Sequence, residues 1–361
     1  MNVAIACGGT GGHLFPGLAV AEILKDRGHI VLLLISEKQI DATAVRDRPE
    51  FQIEKIPSSG LPRLISPQIL PFAGQFLRGL GRCRHIYRAF QPQAVLGMGG
   101  FTSTGPILAG RLAGVPTFIH ESNAIPGKAN RLNARLSNRV LLGFEDCAKH
   151  FPKSVVEVTG TPIRSSLNRK VDRSEALKKF GLRPDFGTVL IMGGSQGAHR
   201  LNEAVSAALG RFARKPIQFV HLTGREDEDA VRQHYQKAGI PAWIAAFYHY
   251  MEEVYSVAEV AVARSGAASL TEISHFGVPA ILVPYPYAAE NHQYLNAEIF
   301  AREGAAEVLD ETRVNGDTLG SLIDQLLADP AKRRRMHEQM RSFAPQDAAV
   351  RIAELIERSQ K

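Results

Sequence analysis

Short apolar runs, most of them closed by a glycine or a turn residue and followed by an amphipathic stretch, recur along the chain. VAIAC (3–7), HIVLLLIS (29–36), FQIEKI (51–56), AVLGMG (94–99), PTFIHES (116–122), NRVLLGF (138–144) and VVEVTGTP (155–162) are the runs of the first half. Most show no strict polar alternation, the pattern of strands covered on both faces in a parallel sheet. Between them GLAVAEILKDRGH predicts a helix after Pro16 ending near Gly28, and PILAGRLAG predicts another. QFLRGLGRCRHIYRAF is amphipathic, with Phe76, Leu80, Cys83, Tyr87 and Phe90 on one face and Arg78, Arg82, Arg84 and Arg88 off it. SSGLPRLISPQILPF (58–72) is apolar without a period, and its three prolines argue against a regular helix.

The theme then repeats. After a charged connection with a surface helix (168–186), TVLIMGG leads through a glycine loop into a helix from about Arg200. QFVHLTG (218–224), AWIAAF (242–247), VAVARSG (260–266) and AILVPYP (280–286) are further strands with helices between them. Strands alternating with helices predict the α/β class. Two such halves predict two doubly wound, Rossmann-like parallel-sheet domains with glycine loops lining a cleft. The boundaries are set at 1–163, 164–344 and a final segment 345–361, with Pro330 and Pro345 near helix starts. Lys332 to Arg335 form a basic run, read as a solvated helix face.

A length of 361 residues accommodates two cores, and 45% hydrophobic with 22% charged residues is ordinary for a globular chain. The net charge of +7 fits an anionic partner or simply a well-solvated surface. Cys7, Cys83 and Cys147 are scattered and odd in number, without metal-ligand spacing, as in a reducing compartment. Met1 runs straight into a strand, so no signal peptide is expected, and no run is apolar for long enough to predict a membrane span.

Chemistry concentrates in the turns after strands. Gly8, Gly9, Gly11 and Gly12 strip side chains from the first loop and lead into a helix N-terminus, which suits a phosphate. The spacing is not a dinucleotide fingerprint, because the third glycine would fall at Leu14. His13 closes that loop, while Glu121, Ser122 and Asn123 emerge at the end of another strand. In the second half, Arg264-Ser265-Gly266 opens a helix carrying Glu272, an arrangement suited to a diphosphate and a ribose diol. Asn291, His292 and Gln293 offer groups for sugar hydroxyls. Asp227 and Asp229 form a D-x-D, which metal-dependent transferases use, but here it lies in a charge run read as a solvated helix start.

GGTGGHLFPGLAVAE (8–22), GMGGFTSTGP (97–106), HESNAIPGKAN (120–130), GTPIR (160–164), GGSQGAHRLN (193–202), ARSGAASLTE (263–272) and HQYLNA (292–297) together resemble glycosyltransferase family 28. Those bacterial enzymes add N-acetylglucosamine from UDP-GlcNAc to lipid I, giving lipid II of peptidoglycan. The seven stretches run in family order over nearly the whole length. The resemblance implies a GT-B fold, with the last helix returning to the first domain. It also implies an inverting transfer to the MurNAc 4-hydroxyl without an obligatory metal or other cofactor. Donor contacts are implied at Thr10, Gly11, Gly12, Asn123, Arg164, Ser195, Tyr248, Ala267, Ala268, Ser269, Leu270, Thr271, Glu272 and Gln293. Tyr248 stands where relatives have an apolar residue whose backbone reads uracil. Gly99, Gly100, Phe101 and Asn202 are implied on the acceptor side, with Phe101 where many relatives have tyrosine.

For catalysis, His13 is the candidate base and Glu121 the second candidate, either as base or to orient the acceptor. A lipid acceptor gives Leu61, Leu64, Ile65, Ile69, Leu70 and Phe72, ringed by Arg63, Arg78 and Arg82, a reading as a patch for anionic phospholipid. Packing against the first domain's own core is the other reading of those residues. Nucleic acid is not expected as a partner. The implied setting is the cytoplasmic face of the bacterial cell membrane, peripherally bound and within a cell-wall synthesis complex. A lipid glycosyltransferase with another acceptor, a UDP-GlcNAc 2-epimerase and a non-catalytic nucleotide-binding regulator remain as alternatives.

Overall fold

The computed structural model describes residues 1–37, 45, 48–57, 69–194, 197–344 and 346–360. The chain forms two compact units, residues 1–164 with 345–361, and residues 165–344.

The first unit is built on a seven-stranded parallel sheet in the order β3-β2-β1-β4-β5-β6-β7. Its strands are β1 (Asn2–Ala6), β2 (Ile30–Ser36), β3 (Gln52–Ile56), β4 (Ala94–Gly97), β5 (Thr117–Glu121), β6 (Arg139–Leu142) and β7 (Val156–Val158). Successive side chains of β1 serve opposite faces, as strand geometry requires. Val3 and Ile5 join a core with helix α1 (Gly11–Asp26), while Ala4 and Ala6 join one with α2 (Ile69–Phe90). That two-sided burial is why the strands read as continuous apolar runs. Helices α3 (Thr104–Leu112) and α4 (Lys128–Ala134) complete the central layers.

Two helix starts differ from the sequence reading. α1 begins at Gly11, not after Pro16, because His13 and Leu14 N–H already donate to the Thr10 carbonyl at 3.1 and 3.0 Å. Pro16 costs the helix one i to i−4 bond, and the next residue, Gly17, lets the helix lie against Cys7. A Cβ on Gly17 would lie 2.4 Å from the Cys7 Cβ. α2 begins at Ile69 with Pro71 in its first turn, where a missing N–H costs nothing. The four residues Ile69 to Phe72 are therefore helical, against the expectation drawn from three prolines.

The second unit has a six-stranded parallel sheet in the order β10-β9-β8-β11-β12-β13. Its strands are β8 (Gly187–Met192), β9 (Ile217–Leu222), β10 (Ala242–Ala245), β11 (Val260–Ala263), β12 (Ala280–Leu282) and β13 (Ala306–Val308). Between them run α5 (Arg173–Lys179), α6 (His199–Ala208), α7 (Glu228–Ala238), α8 (Met251–Val257), α9 (Ala267–Phe276), α10 (His292–Arg302), α11 (Gly316–Ala328) and α12 (Pro330–Ser342). In both sheets the chain steps outward from the first strand and then reverses to its other side. The reversal opens a crevice at the carboxyl ends of β1 and β4, and of β8 and β11.

The last helix, α13 (Ala348–Arg358), belongs to the first unit. It buries Ile352, Ala353, Leu355 and Ile356 in the core shared with α1, and Glu357 pairs with Arg27 and His29 at 2.8 Å each. The basic run of α12 is less solvated than the sequence suggests. Lys332 bonds Glu307 at 2.6 Å, and Arg333 caps the α11 C-terminus through the Leu326 and Leu327 carbonyls.

Candidate functional site

In the first unit Thr10 is the N-cap of α1, with an extended backbone and no side-chain bond to the first-turn N–H groups. The N–H groups of Gly11 and Gly12 thus head the helix dipole with no cap from Thr10. His13 stands in this first turn, its Nδ1 3.3 Å from the Thr10 hydroxyl. Its ring lies on the Gly99–Gly100 backbone, which has φ of +114° and +70°. A Cβ at Gly99 would fall 3.0 Å from His13 Nε2, and one at Gly100 3.2 Å from Cε1. The two glycines thus form the floor beneath the imidazole.

Glu121 ends β5 and is 4% exposed. One carboxylate oxygen accepts from the Asn123 N–H and side-chain amide at 3.0 and 2.9 Å. The other accepts from Asn130 at 2.9 Å and the Gly127 N–H at 3.2 Å. Burial raises its pKa, and these four donors pull the other way. With both oxygens engaged, Glu121 is built to hold the 121–130 loop. Asn130, which the residue-by-residue reading passed over, also donates to the His120 carbonyl at 3.0 Å. His120 is fully buried between the Gly160 carbonyl and the Ser122 hydroxyl, and burial lowers its pKa to about 4. Arg164 lies with its guanidinium 4.6 Å above the Phe15 ring, the same ring that a Cβ on Gly11 would meet at 3.2 Å. A fixed cation therefore stands close to the α1 N-terminus.

In the second unit, Arg264 at the end of β11 is 8% exposed and makes a two-pronged pair with Glu311 at 2.8 and 3.1 Å. It also donates to the Val283 and Pro284 carbonyls. The pair locks the turn that follows. The Ser265 hydroxyl donates to the Gln293 carbonyl at 2.8 Å, and Asn296 donates to the Ser265 carbonyl at 3.1 Å. The Gln293 side-chain oxygen accepts from the Tyr285 N–H at 2.9 Å, so its amide N–H₂ is the end left to face a ligand. Gly266 caps α9 without a side-chain bond, leaving the helix start to its own N–H groups. Glu272 sits in the second turn and accepts from the buried Tyr255 hydroxyl at 2.9 Å.

Within α9 the implied contacts divide. Leu270 is 0% exposed, and its N–H donates to Gly266. The Thr271 hydroxyl turns back to the Ala267 carbonyl. Neither side chain is available to a ligand, which leaves the backbone of Ala267 to Ser269 and the Glu272 carboxylate.

Other residues fall elsewhere than implied. Asn202, expected on the acceptor side, is 2% exposed in the second unit, where its amide is consumed by Thr223, Asp227 and His221. Asp227 is accordingly no freely solvated helix start: it accepts from Asn202 at 2.7 Å and pairs with His199 at 2.8 Å. The Phe101 ring, half-buried, meets the Phe72 ring of α2 edge-on at 6.1 Å. The Tyr248 ring is held by Trp243 and Phe180 at 4.9 and 5.8 Å, and its hydroxyl bonds Glu253, which Lys179 also holds. With that side chain engaged, only the backbone at 248 can meet a ligand. Ser195, Leu61, Arg63, Leu64, Ile65 and the Ile69 side chain lie outside the described residues.

Along α2, Leu70 and Leu77 are 78% and 65% exposed, beside exposed Arg78, Arg84 and Arg88. Arg82 instead pairs with Glu54 at 2.9 Å. Among the described residues no helix is long and apolar enough to cross a membrane. No group of three His, Cys, Asp or Glu side chains among them is placed to hold a metal ion.

Tyr255, Glu311 and Asn130 support the site, and sequence reasoning missed them. Tyr255 and Glu311 lie 17 and 47 residues from Glu272 and Arg264, where no local pattern marks them, whereas Asn130 sits nine residues from Glu121 within the 120–130 stretch itself.

Known proteins resemble the chain over its whole length. The profile of the glycosyltransferase family 28 N-terminal domain matches residues 3–142, and that of the family's C-terminal domain matches residues 188–352. A protein of Geobacter sulfurreducens is 35% identical over 358 residues, covering 98% of this chain and 97% of its own. It is named UDP-N-acetylglucosamine--N-acetylmuramyl-(pentapeptide) pyrophosphoryl-undecaprenol N-acetylglucosamine transferase. The crystal structure of Acinetobacter baumannii MurG superposes with a TM-score of 0.78 at 28% identity, covering 99% of each chain. A UDP-GlcNAc 2-epimerase from Neisseria meningitidis has a TM-score of 0.72 at 14% identity over 99% of this chain and 100% of its own, a likeness of fold alone.

Proposed function

The chain belongs to glycosyltransferase family 28, in its MurG branch, and from that premise we propose how its two units divide the reaction. It is a UDP-GlcNAc-dependent N-acetylglucosaminyltransferase that moves GlcNAc to the 4-hydroxyl of MurNAc in lipid I, forming lipid II. The acceptor oxygen attacks C1 of the sugar opposite the diphosphate. The C1–O bond to UDP breaks, the configuration inverts, and the hydroxyl proton passes to a base.

The second unit holds the donor. The N–H groups at the α9 start meet the diphosphate, and Glu272 accepts the ribose hydroxyls. The backbone at Tyr248 reads the base, and the Gln293 amide donates to the sugar. The observation that carries this reading is that one helix, α9, presents an uncapped N-terminus and a carboxylate held ready by Tyr255. The first unit holds the acceptor and supplies the base, His13. Nδ1 lies 3.3 Å from the Thr10 hydroxyl, and the proton is assigned to Nε2. Glu121 is a positioning residue that shapes the loop carrying Asn123. Arg164 and the α1 N-terminus supply positive potential for phosphate, doing electrostatically what a divalent cation does in other transferases.

The exposed apolar and basic face of α2 supports a peripheral seat on an anionic leaflet, on the side where the nucleotide donor is found. On the same helix Phe72 contacts Phe101 and Arg82 pairs with Glu54. Incubation with UDP-GlcNAc and a lipid I analogue tests the assignment. Disaccharide plus UDP supports it, whereas free ManNAc or its UDP derivative points to an epimerase. Full activity in EDTA is expected, and its loss would overturn the metal-free mechanism.

A further inference from the structure

Residues 246–250 join β10 to α8 in the second unit, and only the two ends of this turn are tied through the backbone. At one end the Ala246 carbonyl accepts from the Gly224 N–H at 3.0 Å, and at the other the Tyr250 carbonyl accepts from the Glu253 N–H at 3.0 Å. Between these ties, no hydrogen bond among the described residues engages the backbone N–H or C=O of Tyr248. Phe247 and His249 are exposed, their rings 4.9 Å apart, while the Tyr248 ring between them is half-buried.

The Tyr248 side chain is held from several directions. Its ring meets Trp243 at 4.9 Å, Tyr250 at 5.7 Å and Phe180 at 5.8 Å, each edge-on. Its hydroxyl donates to a Glu253 oxygen on α8. Lys179, the last residue of α5, donates to both Glu253 oxygens at 2.9 and 2.8 Å. The same ammonium lies 5.7 Å from the Tyr248 ring centre and 5.2 Å from that of Tyr250. Burial works against the Glu253 charge, yet Lys179 and Tyr248 hold its carboxyl below the ordinary range. Burial and that carboxylate raise the Tyr248 phenol, which therefore stays protonated as the donor. A lone ion pair of this exposure would add little. Here one ammonium serves a carboxylate and two rings, so the loss of any member loosens the others. The side chain pivots on the same Cα as its two flanking peptide groups, so a fixed ring and hydroxyl fix where the N–H and C=O point.

We propose that the Lys179–Glu253–Tyr248 cluster sets the uracil specificity of the donor site by holding the Tyr248 backbone in the orientation that reads the base. Lys179 and Glu253 touch no substrate and are positioning residues that act through Tyr248. This rests on the reading of the Tyr248 backbone as the base contact. One residue's N–H and C=O offer one donor and one acceptor. Uracil presents the complement, an N3–H donor beside an acceptor carbonyl, whereas cytosine reverses both, with an acceptor N3 beside an amino donor. A backbone held in one orientation therefore accepts the first base and rejects the second, and a loosened one discriminates less.

The test uses the full chain as wild type, Tyr248→Phe, Glu253→Gln, Lys179→Met and Lys179→Arg. Each is measured for UDP and CDP affinity by calorimetry, for KM and kcat with UDP-GlcNAc at saturating lipid I analogue, and for Tm. Tyr248→Phe keeps the ring and removes the hydroxyl. Loss of one such bond predicts a UDP Kd and a KM raised about 3- to 10-fold, with kcat within about twofold. The preference for UDP over CDP should fall by the same factor. Glu253→Gln should match it, and Lys179→Met should show about a threefold loss, which Lys179→Arg largely restores. The Lys179 side chain is 51% exposed, so Lys179→Met carries the test if either of the other two does not fold. A lower Tm with an unchanged UDP Kd, or UDP and CDP weakened equally, would mean the cluster is only structural and would overturn the proposal alone. A wild-type chain that binds CDP as well as UDP would overturn the base-reading role of the Tyr248 backbone itself and the proposal with it.

Discussion

The phenol of Tyr255, 1% exposed, donates to a carboxylate oxygen of Glu272 at 2.9 Å. A buried hydroxyl thereby fixes the one acidic side chain that the donor reading assigns to the ribose. Tyr255→Phe keeps the ring packed on Phe276 and removes this bond together with the hydroxyl's weak contact with the Met192 sulfur at 3.7 Å. One such hydrogen bond predicts a KM for UDP-GlcNAc raised about 3- to 10-fold with kcat kept. Glu272→Ala goes further and should abolish discrimination between UDP-GlcNAc and its 2′-deoxyribose analogue. Retained discrimination would remove Glu272 from the ribose.

His13 differs in kind, because it is assigned to the reacting proton. His13→Ala should lower kcat about 10²- to 10⁴-fold, the range for loss of a general base. UDP affinity should stay within about twofold, because the groups proposed to meet the diphosphate are backbone N–H groups and Arg164, which the substitution leaves in place. Near-normal turnover would exclude His13 as the base. A Gly99→Ala variant gives an independent check, since its methyl would press on the His13 ring from 3.0 Å at a positive φ.

The parallel-sheet architecture was legible because covered strands leave continuous apolar runs, and VAIAC or VAVA can hardly be anything else. The three-residue β13 was not, being too short to carry a pattern, and α4 was lost among the asparagines of KANRLNA. The helix starts at Gly11 and Ile69 were misjudged for one reason. Proline reads as a breaker, although Pro71 lies in the first turn of α2 and Pro16 costs α1 only a single bond. At the site, glycine turns and single charged residues could be read directly. Their supports could not: Tyr255 behind Glu272 and Glu311 behind Arg264 depend on strands and helices meeting in three dimensions. Asn202 was misplaced because its motif sits beside a glycine loop while its side chain points into the core.

Acid should destabilise both units through buried histidines. His120 and His221 have folded pKa values near 4 and 3, below the ordinary value of about 6.5. Between those limits the unfolded chain binds protons that the folded chain does not, so stability falls as pH falls. Each histidine contributes at most about 1.4 kcal/mol per pH unit over its window. Glu121, raised by burial, works in the opposite sense just above its ordinary range. Denaturant midpoints from pH 7 to 4 should decline, and His120→Gln should flatten the slope. A slope unchanged by that variant would contradict the assignment.

The Arg264–Glu311 pair, 8% and 4% exposed, should be costly to break from one side. Glu311→Ala leaves a buried guanidinium without its counter-charge, a change worth about 3–5 kcal/mol. The turn at Ser265 lies next to that arginine, so UDP affinity should fall together with Tm. A drop in Tm with UDP affinity untouched would detach the pair from the donor turn.

Membrane attachment can be separated from catalysis on α2. Leu70 and Leu77 project into solvent beside Arg78, Arg84 and Arg88, while Arg82 is tied to Glu54 and Phe72 to Phe101. Reversing Arg82 would disturb an ion pair and confuse the result, so the informative variants are Arg78→Glu with Arg84→Glu, and Leu70→Ser with Leu77→Ser. Each juxtamembrane cation is worth about 1 kcal/mol near an anionic surface, and reversal doubles the change. The charge variant should therefore lower binding to phosphatidylglycerol vesicles by at least about 10-fold, an effect that salt erases. The leucine variant should weaken vesicle binding at all salt concentrations, because it removes apolar insertion. In both, UDP affinity and turnover on a water-soluble lipid I analogue should remain at wild-type values, since α2 carries none of the groups assigned to the donor or to the proton. Vesicle binding indifferent to all four substitutions would mean that this face does not meet the bilayer.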